Sequence, residues 1–237
     1  MDMQFVQPSA EIMDVAVAGL RHMAEHSSSR ELRRHPVDQL RLTYPQQVYL
    51  LGLDDIRAGR NLESARPSGW RYLVQSPDGR AIAIAESVTD PRGGQVFAHL
   101  NYGPFVAGTA ETLRVAERAN LPSAEVRLLE VPALYLVALW LQHRDGATLI
   151  PIAPTPSGIE ANRSYPTREL LDLLRGRARQ LPDIRRPGRS RRLTIRRVLC
   201  ARARTLRDYV TRRAWNRGWR HAQKRAFGPR RNEEYPP

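Results

Sequence analysis

The chain has 237 residues and a formal charge of +14, from 38 Lys and Arg against 24 Asp and Glu. The charge is segregated: residues 1–180 hold 20 Arg and 20 acidic residues, whereas residues 181–237 hold 18 basic residues against Asp183, Asp208, Glu233 and Glu234. That excludes a uniformly basic globule and implies three parts: a charge-balanced domain at 1–180, a Pro/Gly/Arg linker at 181–190, and a basic helical extension at 191–237 whose last residues are expected to be disordered.

Other classes fall away quickly. Cys200 is the single cysteine, so the chain can form no internal disulfide and no Cys-based zinc site. A reducing, cytoplasmic setting fits that usage. The N-terminal run MDMQFVQPSAEIMD places acids before any base and lacks a long apolar core, unlike a secretory signal. The longest apolar run, Val131 to Leu141, is eleven residues long. A membrane span needs about 20 apolar residues, so no transmembrane segment is expected. Arg outnumbers Lys by 37 to 1. A GC-rich genome would produce that bias, so the clustering of charge carries more weight than the choice of Arg.

In chain order, residues 9–26 predict a helix. Ser9 can cap it, Glu11 and Asp14 lie near its positive end, and Ile12, Val15, Ala16, Gly19, Leu20 and Met23 recur at helical spacing. Residues 30–45 are polar and broken by Pro36 and Pro45, with a helical turn expected around Val37 to Leu42. The apolar run Val48 to Leu53 is too short to assign to strand or helix, and Asp54-Asp55 reads as the start of another turn. Arg71–Gln75 and Arg80–Val88 predict a hairpin about the turn Ser76-Pro77-Asp78-Gly79, because Gly tolerates the positive φ such turns need. Ile82 and Ile84 are expected to share one face of the second strand, and both faces are apolar, as in a central strand. After the loop Asp90 to Gly94, Gln95–Tyr102 predicts a third strand.

Gly103-Pro104 breaks the strand, and Thr109–Asn120 predicts a helix. Glu125–Val131 predicts a fourth strand, Ala133–His143 a very apolar helix begun by Pro132, and Thr148–Ala153 a fifth strand after an Asp145-Gly146 turn. Thr167–Leu181 predicts a last helix that docks Leu170, Leu171 and Leu174. The order β-β-β-α-β-α-β, preceded by helical material, implies an α+β fold with a small mixed or antiparallel sheet and helices mainly on one face. Ile82, Ile84, Leu134, Leu139 and Trp140 are expected in its core. Beyond Pro187-Gly188, the span Arg191 to Phe227 lacks proline and is rich in Arg and Ala, good helix formers.

Chemistry is sparse. His22-Met23-Ala24-Glu25-His26 reads H-x-x-E-H, a spacing that places two His on one helical face as in inverted zinc peptidases. No third ligand is nominated, and the motif sits at a helix end, where polar groups cap carbonyls. No metal and no cofactor is therefore expected. The segment Gly103 to Thr109 joins a strand to a helix but lacks the ending of a P-loop. Cys200 stands among Arg197, Arg202 and Arg204, which favour a thiolate, but no His lies near. His99 alternates with Phe97 and Asn101, and Glu86 and Glu130 are also carried on strands. Acid–base chemistry needs two such groups within reach, and nothing in the sequence brings any two together, so no catalytic residue is nominated.

The extension is the strongest signal. Its nominated contacts are Arg191, Arg192, Arg196, Arg197, Arg202, Arg204, Arg207, Arg212, Arg213, Trp215, Arg217, Trp219, Arg220, Lys224 and Arg225. Arg neutralises phosphates and aromatics stack on unpaired bases, so the leading expectation is a non-enzymatic protein that binds RNA or DNA non-specifically. The alternative is an interaction or regulatory domain, with the extension docking on its own core, an acidic protein partner or an anionic membrane surface.

Overall fold

The structure is a computed structural model and describes residues 3–26, 29–119 and 121–181. The linker and the basic extension, with every nominated contact from Arg191 to Arg225, lie outside the described residues, as does Cys200. The elements begin with β1 (Met3–Phe5), α1 (Ala10–Glu25), α2 (Arg30–Arg33), β2 (Arg41–Leu50) and α3 (Leu53–Arg57). Next come β3 (Arg66–Gln75), β4 (Ala81–Thr89), β5 (Gln95–Asn101), α4 (Pro104–Arg118) and β6 (Ala124–Val131). The unit closes with β7 (Leu136–His143), β8 (Gly146–Pro151), β9 (Tyr165–Pro166) and α5 (Thr167–Gln180).

Among the described residues the strands form one sheet in the order β5-β4-β3-β2-β6-β7-β8-β9, with β1 also paired to β6. Only β2–β6 and β1–β6 are parallel. The fold is therefore α+β with a mixed, largely antiparallel sheet and a preceding helix. The parallel pair begins just after a kink. Tyr44 takes φ 51° and the register slips between Thr43 and Gln46, so Pro45 sits in an irregularity where no ladder hydrogen bond is asked of it. Only Gln47–Leu50 of β2 pair with β6, and β1 occupies the preceding stretch of the same strand, Ala124–Val126. Phe5 packs edge-on against Tyr44 at that junction, with centroids 5.5 Å apart.

The first helix, the β3–β4 hairpin and the last helix match their expectations closely. Ser9 caps α1 by accepting from the Ile12 N–H, and Gly79 turns the hairpin at φ 78°. The segment expected to be an apolar helix at Ala133–His143 is instead a turn followed by β7, which pairs antiparallel with β6 from Leu136 to Gln142. Leu136 to Leu141 are all buried because β7 is covered on both faces. Such a strand shows no alternation of apolar and polar residues and reads like a buried helix. Tyr135, at φ 54°, ends the turn that reverses the chain. The order is thus a strand meander, one helix, then a second meander.

Helices lie mainly on one face, as expected, and α4 alone covers the other. On one face α1 and α2 bury Ala16, Leu20 and Leu32 against Trp70, Tyr72, Val74, Ala83, Ala85 and Leu100. On that same face α5 buries Leu170, Leu171, Leu174 and Ala178 against Leu129, Leu136, Trp140 and Leu149. The other face belongs to α4. It starts at Pro104, five residues earlier than expected, since proline is pre-shaped for a first helical position. It packs on both β4 and β8, strands near opposite ends of the order, so the sheet curls around it.

Of the expected core, Ile84, Leu134, Leu139 and Trp140 are buried. Ile82 is only partly so, and it packs with the α1 cluster instead of sharing a face with Ile84. The register between β3 and β4 slips at Val74/Gln75 and leaves Ile82 as the extra residue. A bulge breaks the two-residue period.

Candidate functional site

The α4 face of the sheet carries a charged row. Register pairs His99 with Glu86, Glu86 with Arg71, and Arg71 with Gln46, so four polar side chains line up across β5, β4, β3 and β2. Arg71 lies between Trp70 and Tyr72, which point into the α1 core, so its own side chain is sent to the α4 face. Its guanidinium is almost sealed, with 4% of the side chain exposed. The Phe105 ring of the first turn of α4 lies over it, 5.2 Å from centroid to Cζ.

One atom of that guanidinium serves two carboxylates. Arg71 Nη2 donates to Glu86 Oε1 at 2.7 Å and also to Glu130 Oε1. Glu130 arrives from the end of β6. Around Glu86 the network continues: Asn101 Nδ2 donates to Glu86 Oε1 at 3.2 Å and lies 2.9 Å from His99 Nε2. His99 Nε2 also lies 3.4 Å from Glu86 Oε2.

The two carboxylates are driven apart in proton affinity. Burial raises Glu130, the charge of Glu86 adds to the rise, and Arg71 only partly offsets them; the net shift is upward. Burial also pushes Glu86 upward, but Arg71, His99 and the hydrogen bonds from Arg71 and Asn101 outweigh it and hold it below its ordinary range. Arg71 stays firmly protonated: burial opposes its charge, and the two carboxylates more than compensate. A pair of acids with separated affinities can hold and pass one proton. Several buried atoms nearby have no partner: both amide atoms of Gln46, Nε and Nη1 of Arg71, and Nδ1 of His99.

Four residues singled out in the sequence, Glu86, His99, Asn101 and Glu130, are thus brought together. Phe97 is not: the register slips between Glu86 and Ser87, and Phe97 packs in the α1 cluster. Arg71 and Gln46 were missed. The signal for Arg71 was legible: an Arg inside a strand apolar on both faces requires a buried counter-charge. His22 and His26 lie elsewhere, at the end of α1. Their rings are 4.6 Å apart, and His26 Nδ1 sits 2.8 Å from the His22 carbonyl oxygen, where it caps the helix. Among the described residues no three His, Cys, Asp or Glu are grouped to hold a metal, and no helix is long and apolar enough to cross a membrane. Gly103 to Thr109 is the start of α4, and Thr109 is buried, donating to the Phe105 carbonyl.

No protein-family model matches the chain, and neither a curated protein nor a solved structure matches it.

Proposed function

We propose that the protein binds nucleic acid without sequence specificity, through the cationic residues 191–237, in a cytoplasmic setting. The observation that carries the reading is the segregation of charge: 18 basic residues against four acidic ones after position 180, beyond a stretch in which the two balance. A cation-dense segment attached to a neutral body finds no net counter-charge on that body, and phosphates supply one. Tyr209, Trp215, Trp219 and Phe227 interleave with those cations and supply faces for unpaired bases.

The folded unit supports this division of labour. Several of its cations are spent locally, in pairs such as Arg34–Glu31, Arg60–Asp55, Arg114–Glu111, Arg127–Glu125 and Arg163–Glu169. Helix α5, which leads toward the extension, is held at its end by Arg57, which donates to the carbonyls of Ala178 and Leu181 at 3.2 and 2.9 Å.

The test is binding of labelled oligonucleotides by the full chain and by a Trp215→Ala/Trp219→Ala variant. Stacking contributes about 1–3 kcal/mol per base, so the variant should lose more affinity for single strands than for duplex. Equal loss on both would remove the aromatics from the interface. No binding by either chain at low salt would remove the reading.

A further inference from the structure

We propose that His22 and His26, at the end of α1, chelate a divalent transition-metal ion that favours nitrogen ligands at right angles, Cu(II) or Ni(II). This does not rest on the nucleic-acid reading. The argument begins with helical spacing. Residues four apart are neighbours on a helix surface, and His22 and His26 bracket the last turn of α1 and its cap. Both residues are exposed, so an ion in solution reaches them without displacing a packed group.

The structure adds two observations that spacing alone does not contain. The first is the state of the His26 ring. Its Nδ1 lies 2.8 Å from the His22 carbonyl oxygen. A carbonyl oxygen only accepts, so Nδ1 carries the proton and the neutral ring presents Nε2 as a bare lone pair. Metal-bound histidines are oriented in this way, with one ring nitrogen donating to a carbonyl while the other ligates. The same bond holds the His26 side chain in place, which lowers the ordering entropy that chelation costs.

The second observation is the separation of the rings, whose centroids are 4.6 Å apart. An imidazole nitrogen sits about 2.0 Å from a bound ion. With that bond length, two rings at a right angle about one ion have centroids about 4.5 Å apart, and at the tetrahedral angle about 5.1 Å. The observed spacing is that of neighbouring corners of a square plane, the arrangement of Cu(II) and Ni(II), rather than of a tetrahedral zinc. Turning the exposed His22 ring about its own stem aims its nitrogen at the shared ion.

The want of a third protein ligand argues against a closed zinc site, which takes four. An ion held at two corners completes its shell with water, and those corners stay open to a further ligand from solution. Electrostatics agree. The end of α1 carries the negative pole of the helix dipole, which favours a cation, and Arg21 and Glu25, both exposed on the same turn, cancel in charge.

The test uses the full chain, with copper(II), nickel(II) and zinc(II) chlorides added in separate arms against glycine, which holds loosely bound metal. Copper is read by electron paramagnetic resonance, and all three metals by calorimetry. The expected result is saturable copper at one ion per chain with coupling to two imidazole nitrogens, nickel at the same ratio, and zinc held more weakly than nickel. His22→Gln and His26→Gln should each abolish the two-nitrogen signal and weaken copper binding by about a hundredfold, because each removes the intramolecular second contact. His143→Gln should change neither. A two-nitrogen signal that survives His22→Gln or His26→Gln, zinc held more tightly than nickel, or no saturable copper in the unmodified chain would overturn the proposal.

Discussion

Arg71 is the residue on which the α4 face depends. Its guanidinium is the positive partner that two partly buried acids share. Replacing it with Met strands both, and removal of one member of a buried pair costs about 3–5 kcal/mol. Denaturant unfolding of Arg71→Met should show a loss of that order. Adding Glu86→Gln and Glu130→Gln should recover much of it; a triple variant as unstable as the single one would mean that the packing of the Arg stem, not its charge, is what matters. The acids also predict opposite pH effects. Glu130 is raised above the ordinary 4.5, so its contribution to stability is complete at low pH and lost as pH rises through its raised value. Glu86 is lowered, so its contribution is present above 4.5 and lost as pH falls through its lowered value. Glu130→Gln should therefore flatten the loss on the alkaline side and Glu86→Gln the loss on the acid side, read from unfolding free energy across pH. Identical profiles in both variants would contradict the assignment.

At the scale of elements, what was legible in the sequence had a local cause. The β3–β4 hairpin announces itself through Asp78-Gly79, and α1 through Ser9 and its apolar spacing, because those signals act within a few residues. β7 was illegible because both its faces are buried, and β2 because Pro45 falls inside it at a kink. The carboxylates were nominated one at a time, but their meeting was not readable. Arg71 and Glu130 are 59 residues apart, and only the parallel seating of β6 beside β2 brings them together.

The seating of α4 over that cluster yields two further predictions. A Cβ at Gly108 would lie 2.3 Å from the Ala153 carbonyl oxygen, so backbone and helix must separate to admit it. Gly108→Ala should destabilise by about 1–3 kcal/mol, as overpacking does, and should shift the carboxyl resonances of Glu86 and Glu130 as Phe105 moves. Ile84, fully buried on β4 on this face, should cost about 2–5 kcal/mol when cut to Ala. A change below about 0.5 kcal/mol, the range of surface positions, would place that strand outside the core.

The whole molecule divides its work by charge. The α+β unit balances its acids and bases, pairs several of its Arg residues internally and buries one charged cluster, while the net +14 belongs to residues 181–237. A chain cut after Leu181 retains every described element, so it should fold. It should also lose the affinity for nucleic acid, since it loses the net positive charge. The most direct measurement is the salt dependence of RNA and DNA binding by the full chain beside that shortened one. If about 6–10 of the cations meet phosphates, the affinity of the full chain should fall by about 10³–10⁵ between 50 and 200 mM salt, with the shortened chain silent throughout. A full chain that ignores both nucleic acids at 50 mM salt, or a shortened chain that binds as well as the full one, would contradict the account.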